Sequence, residues 1–275
     1  MYLALLSTPM LDVEFAHLSD DGRSRDHNED CIGFVTPATP ELARSHGWMF
    51  ALADGVGGHD HGEVASATAI AHLSENFYKA PGSESATNLM GRLAKEANVR
   101  VYETGKITGP GGSNMATTLV ACAFRHDQAA VVHAGDSRCY RIRDRATVQL
   151  TRDHTVANEH LRMGAISAAT AASSETRHLL ARSLGADLFL NVEMNEHPLY
   201  PGDVFLLCSD GMHNSVQGSD MAAIVRPGVD LSAAAAKLVA LANERDGSDN
   251  ISVLLIRVRD VERVGMYRGR PYKLR

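Results

Sequence analysis

The sequence predicts an α+β fold: two antiparallel sheets packed face to face, with helices segregated onto the outside. Three observations lead to it. Apolar, strand-like runs arrive consecutively at 116–124, 129–134 and 138–142, with only tight turns between them. Segments with helical spacing lie elsewhere, at 63–78, 86–103 and 231–244. A parallel sheet needs a long crossover between strands, so this order favours antiparallel pairing. At 275 residues the chain can form one large domain or two small ones and bury a core without staples.

Each element has its own warrant. In 63–78, Ile70, Leu73 and Phe77 recur at helical spacing. In 86–103, Leu89, Leu93, Ala97 and Val101 form a broad stripe. In 231–244, Leu231, Ala235, Leu238 and Ala242 share a face, Asp230 is placed to cap the start, and Gly247 lies beyond the end. The runs at 203–208 and 251–258 join the three central strands. All are bounded by Gly, Asp or Asn and are too short for buried helices. Stretches rich in Pro and Gly at 36–40 and 108–114 read as surface loops. The tail from Asp260 carries Arg263, Arg268, Arg270, Lys273 and Arg275 and reads as an ordinary extension.

Composition narrows the function. Lys+Arg 27 against Asp+Glu 33 gives a net charge of −6, which argues against a broad nucleic-acid footprint. No run approaches the roughly 18 apolar residues of a membrane helix. The apolar start, Met1-Tyr2-Leu3-Ala4-Leu5-Leu6, lacks the basic region of a secretory signal. Cys31, Cys122, Cys139 and Cys208 are scattered without a CxxC pair and read as buried, reduced thiols of a cytoplasmic protein.

Five short acidic motifs stand out: Asn28-Glu29-Asp30, Asp54-Gly55-Val56-Gly57-Gly58, Gly135-Asp136-Ser137-Arg138, Ser209-Asp210-Gly211 and Asp249-Asn250. In Phe50-Ala51-Leu52-Ala53-Asp54-Gly55 a short strand delivers a carboxylate, and glycine lets the backbone turn. Phe205-Leu206-Leu207-Cys208-Ser209-Asp210-Gly211 repeats the design. One Asp-Gly alone is ordinarily a β-turn. Converging strand edges would bring several carboxylates to one place, and like charges there need compensation. An all-oxygen donor set favours Mg²⁺ or Mn²⁺. Two ions about 3.5–4 Å apart could share one carboxylate and hold a bridging hydroxide for in-line attack on phosphorus.

A longer ordered set of motifs carries a resemblance. Arg25-Asp26-His27-Asn28-Glu29-Asp30, Ala53-Asp54-Gly55-Val56-Gly57-Gly58-His59, Gly62-Glu63, Ala116-Thr117-Thr118-Leu119, Gly135-Asp136-Ser137-Arg138-Cys139-Tyr140, Leu150-Thr151-Arg152-Asp153-His154, Ser183-Leu184-Gly185, Ser209-Asp210-Gly211 and Asp249-Asn250-Ile251 follow one another. Together they closely resemble the metal-dependent serine/threonine protein phosphatases, the PPM or PP2C-like family, in its bacterial form. The resemblance runs over 15–258, which sets the expected phosphatase domain and leaves 1–14 and 259–275 as terminal extensions.

The resemblance implies an α-β-β-α sandwich with a dinuclear Mn²⁺ or Mg²⁺ centre at one end. Asp54 would bridge the ions, Asp210 and Asp249 would complete one, and Glu29 with the Gly55 carbonyl would hold the other. Asp30 would orient a metal-bound water. Arg25 matches the phosphate-binding arginine, and a guanidinium fork suits phosphate oxygens. The implied reaction is hydrolysis of phosphoserine and phosphothreonine on proteins by direct attack of the bridging hydroxide. The expected partners are phosphorylated targets of a serine/threonine kinase, with no nucleic acid and no membrane, and the chain is expected to be a monomer.

Two departures, a flap-like stretch and one coincidence complete the reading. Some relatives hold a third, weaker ion at the positions of Asp136 and Asp210. The acid they add from the flap is Arg162 or Met163 here, which leaves the third ion open. Eukaryotic members carry a His where this chain has Val56. His59, or more readily a metal-bound water, would then protonate the leaving alkoxide. The stretch 152–185 fits the flap, with Gly164 and Gly185 as bending points. Cys139 and Arg145 stand at the spacing of cysteine phosphatases, but the residues between them contain no Gly and cannot readily cradle a phosphate. A silent binding module would have lost the ligands, and a two-metal phosphodiesterase or nuclease is disfavoured by the charge and the motif order.

Overall fold

The computed structural model describes residues 10–56, 61–107, 115–267 and 270–273. The strands are β1 (Asp12–Asp20), β2 (Asp30–Val35), β3 (Trp48–Asp54), β4 (Leu119–Arg125), β5 (Gln128–Ala134), β6 (Arg138–Arg143), β7 (Ala146–Gln149), β8 (Glu193–Pro198), β9 (Val204–Cys208), β10 (Ile251–Asp260), β11 (Val264–Tyr267) and β12 (Arg270–Lys273). The helices are α1 (Pro40–Ser45), α2 (Gly62–Asn76), α3 (Ala86–Ile107), α4 (Val156–Arg162), α5 (Ala168–Ala172), α6 (Asp210–His213), α7 (Gly218–Ile224) and α8 (Leu231–Arg245). Two five-stranded antiparallel sheets result, ordered β1-β10-β9-β6-β7 and β2-β3-β4-β5-β8.

The strand period of two sorts the apolar residues into three cores. In β3, Met49, Ala51 and Ala53 face α2 and α3, while Phe50 and Leu52 enter the space between the sheets. β4 splits the same way, with Leu119, Ala121 and Ala123 on one side and Val120, Cys122 and Phe124 on the other. In β9, Val204, Leu206 and Cys208 pack with α8 residues, and Phe205 and Leu207 point between the sheets. Both faces of these strands are covered, so the layers run helix, sheet, sheet, helix. Phe50, Phe124 and Phe205 join edge to face, with ring centroids 5.7 Å and then 5.0 Å apart.

The helices follow the expected stripes. Leu89, Leu93, Ala97 and Val101 of α3 are buried, as are Leu231, Ala235, Leu238 and Ala242 of α8. Asp230 caps α8 by accepting the Ala233 N–H at 2.8 Å. Three local readings are corrected. The helix at 63–78 ends as a 3₁₀ turn at Phe77–Lys79. The strand at 116–124 starts only at Leu119, because Thr117 bridges to Gly55 and Leu184 instead. The basic tail contains the β11–β12 hairpin. The loop at 108–114 and His59 lie outside the described residues.

Antiparallel pairing decides where the acids go. β3 ends and β2 begins at one end of the sandwich, so Asp54 stands opposite Asp30 in the ladder. β9 ends and β10 begins at that end too, since Cys208 pairs with Val253, and Asp210 and Asp249 lie just outside those strands. No described helix is long and apolar enough to cross a membrane.

Candidate active site

A cavity of about 750 Å³ opens at this end. Arg25, Asp54, Gly55, Asp136, Asp210 and Asp249 all line it, so six of the eight expected site residues meet in one place. The other two, Glu29 and Asp30, flank it. Glu29 lies against the start of α2: a Cβ on Gly62 would come within 3.0 Å of its carboxyl group. That setting places a carboxylate at a helix N-terminus, where partial positive charge favours it. Glu29 Oε1 is also 3.3 Å from His27 Nε2.

Asp30 sits beneath the aspartates. The Ser209 hydroxyl donates to its Oδ2 at 2.8 Å, while Oδ1 is buried with no hydrogen-bond partner. Burial pushes the Asp30 carboxyl up to about 7 against the hydrogen bonds of Ser252 and Ser209, with Asp210 and Asp249 adding to the rise. Burial likewise raises Asp54 well above the carboxylate range, with further contributions from Asp30, Asp210, Asp136 and Asp249. Asp136 reaches about 7 through burial and Asp210. Asp210 reaches about 6 through burial and Asp249, opposed by the Gly211 N–H, Arg25 and Asn214.

Arg25 faces this acid group. Its Nη2 donates to Asp249 Oδ2 at 2.8 Å. Burial works against its charge, yet Asp249, Glu29 and Asp210 outweigh it and hold the guanidinium above its ordinary pKa. One guanidinium cannot balance Asp54, Asp210, Asp249, Asp136 and Asp30 together. The excess of half-buried carboxyl groups, the unpartnered Asp30 Oδ1 and the all-oxygen donors fit divalent cations of the Mg²⁺ or Mn²⁺ type.

The glycines after the aspartates have a packing reason. A Cβ on Gly55 would stand 2.5 Å from the Gly62 backbone, and one on Gly211 would stand 2.2 Å from the Asn250 carbonyl oxygen. Each Asp-Gly step thus lets two backbones touch beside the cavity. Asn250, noted in the sequence without a role, orders the loop that carries Arg25 and Glu29. Its Oδ1 accepts the Glu29 N–H at 2.9 Å, and its Nδ2 donates to the Asp21 and His27 carbonyls at 3.0 Å each.

The flap stretch holds α4, α5 and a 3₁₀ turn at Glu175–His178. Arg177 and His178 of that turn line the cavity, and sequence reasoning did not single them out. Arg162 pairs with Glu159 and Met163 is 70% exposed; neither lines the cavity. Cys139 is fully buried on β6, with its thiol pushed up to about 12 by burial, and Arg145 occupies a turn at φ 63°. That pair is no phosphate cradle. All four cysteines are free.

Comparison with known proteins agrees with this geometry. The family described as Protein phosphatase 2C matches residues 38–245. The serine/threonine phosphatase stp of Listeria welshimeri is 34% identical over 257 residues, 92% of this chain and 96% of that one. The serine/threonine phosphatase of S. agalactiae superposes with a TM-score of 0.81 at 29% identity, over 90% of this chain and 100% of that one. The catalytic domain of the serine threonine protein phosphatase PstP, solved with 2 manganese ions, gives 0.75 at 30% identity, over 91% and 100%. Fold and relatives together define a hydrolase of phosphoric monoesters. The chain belongs to the protein phosphatase 2C family and is a serine/threonine protein phosphatase of the bacterial type.

Proposed function

We propose that the chain removes phosphate from phosphoserine and phosphothreonine on proteins, using divalent cations held by the aspartates of this cavity. The observation that carries the reading is the meeting of Asp54, Asp210 and Asp249 with Arg25 on one cavity wall system. Asp54, Asp210 and Asp249 would hold one ion. Asp54, Glu29 and the Gly55 carbonyl would hold the other. Asp136 and Asp210 line the same cavity, and whether they take a third, weaker ion stays open. Bound there, Mn²⁺ or Mg²⁺ supplies positive charge against the phosphoryl oxygens and acidifies water at neutral pH.

The side chains of the protein divide the remaining work. Arg25 presents its planar fork to two phosphoryl oxygens and orients phosphorus for in-line attack. Asp30 would orient the attacking water, while Ser209 fixes the Asp30 Oδ2. Water attacks phosphorus directly, so no side chain carries the phosphate. The chain acts as a monomer in the cytoplasm against a serine/threonine kinase.

A panel of p-nitrophenyl phosphate, a phosphothreonine peptide and bis-p-nitrophenyl phosphate, each with Mn²⁺ or with EDTA, tests the reading. Metal-dependent hydrolysis of the first two is expected. Preference for the diester, or turnover unaffected by EDTA, contradicts it.

A further inference from the structure

The turn at Gly185, at the end of the flap-like stretch, is tied to Asp54 by a chain of short hydrogen bonds. Asn98, on α3 and 1% exposed, holds the turn from below. Its Oδ1 accepts the Gly185 N–H at 2.8 Å, and its Nδ2 donates to the Asp187 and Leu188 carbonyls at 3.0 Å each. Gly185 is needed at that turn: its φ is +87°, and a Cβ would stand 2.5 Å from the Met115 carbonyl oxygen. The preceding residue, Leu184, is fully buried and pairs with Thr117 in both directions, at 3.0 Å and 2.8 Å.

Thr117 then reaches Asp54. Its hydroxyl donates to the Asp54 carbonyl at 2.8 Å, and the Thr118 N–H donates to the same oxygen at 2.8 Å. Thr118 Oγ1 accepts the Asp54 N–H at 3.0 Å. Both backbone groups of Asp54 are therefore fixed by the segment that also pins the flap end. Thr117 is fully buried, so water cannot replace its hydroxyl.

We propose that Thr117 is a positioning residue that couples the flap's C-terminal anchor to the cation-holding Asp54, with Asn98 as the brace beneath it. The inference rests on the reading that Asp54 holds the cation. Coupling of this kind is reciprocal: what steadies Asp54 steadies Leu184 and Gly185, and the reverse. Cation binding at Asp54 tightens the flap anchor, and loosening the anchor weakens the site.

Titration of the full chain with Mn²⁺ by calorimetry, together with amide hydrogen exchange at Leu184 and Gly185, tests this without any turnover. In the wild type, Mn²⁺ slows exchange at both amides. Thr117→Val, which keeps the branched shape and removes the hydroxyl, binds Mn²⁺ about tenfold more weakly and loses most of that slowing, in line with the usual effect of removing a group that orients a ligand. Thr117→Ser restores both. Asn98→Ala speeds exchange at Gly185 and also weakens Mn²⁺ binding, an independent check should Thr117→Val fail to fold. Unchanged Mn²⁺ affinity in a folded Thr117→Val, or exchange at Leu184 and Gly185 indifferent to Mn²⁺ in the wild type, overturns the coupling. A wild type that binds no Mn²⁺ overturns the site reading beneath it.

Discussion

Arg25 Nη2 lies 2.8 Å from Asp249 Oδ2, although 224 residues separate the two in the chain. The pair joins the proposed phosphate clamp to a proposed cation ligand. A cation taking Asp249 would release the guanidinium for phosphate, so filling the site would prepare the clamp. Both side chains remain over a third exposed, which makes their exchange of partners cheap in water.

Arg25→Ala therefore lowers kcat/KM for a phosphothreonine peptide by about 100-fold, the scale of losing one charged donor to the transition state. Arg25→Lys recovers little, because an ammonium lacks the planar fork. Calorimetry should find Mn²⁺ affinity unchanged or higher in Arg25→Ala, since Asp249 loses a competing partner. A large fall in Mn²⁺ affinity would show that Arg25 builds the cation site instead.

Asp54→Asn separates stability from activity. Desolvation and the neighbouring Asp30, Asp210, Asp136 and Asp249 raise the pKa of this carboxyl, so ionising it is costly in the metal-free protein. In EDTA the variant melts higher, by about 2–4 °C for each kcal/mol of relieved repulsion. With saturating Mn²⁺ its turnover falls roughly a thousandfold, the equivalent of several kcal/mol of lost transition-state stabilisation. Scanning calorimetry and steady-state rates on one preparation check both halves.

Gly211→Ala tests the close approach behind Asp210. The added methyl would meet the Asn250 carbonyl oxygen at 2.2 Å, and backbone cannot swing away as a flexible side chain can. A loss of about 1–3 kcal/mol is expected from overpacking. Weaker Mn²⁺ binding accompanies it, because the clash pushes Asp210 and Asp249 apart. Chemical denaturation and calorimetry read the two effects.

His154 gives the acid limb of stability. Its side chain is buried, and burial, then His133 and Arg182, lower its pKa to about 4, although Glu193 opposes them. A folded value below the unfolded one near 6.5 means stability that is full above pH 6.5. It is lost as pH falls through about 4. Wild type should lose on the order of 2 kcal/mol relative to His154→Gln between pH 7 and pH 4. Equal slopes for the two proteins in urea melts across that range would contradict the assignment.

Most of the site was readable because its local chemistry is repetitive. Asp54 and Asp210 each follow a buried strand and precede a glycine with a steric reason to be there. The central strands read clearly because both faces are covered, as in β4 and β9. Edge strands did not. β8, Glu-Met-Asn-Glu-His-Pro, alternates between half-buried and exposed residues at the border of its sheet and resembles a loop in composition. Arg177, His178 and Asn98 escaped for another reason: each meets a partner or a cavity far away in sequence, and Thr117 stood in a visible motif while its link to Asp54 was not visible. The same holds for Asn250, whose motif was visible while its hold on the Glu29 loop was not.

The central claim is that Asp54, Asp210 and Asp249 share one divalent-cation centre. Anomalous diffraction at the manganese edge, from crystals grown with Mn²⁺, tests it most directly. The account predicts two strong peaks beside Asp54, with Asp210 and Asp249 around one and Glu29 beside the other. Manganese bound elsewhere, with that cavity free of anomalous signal, would contradict it.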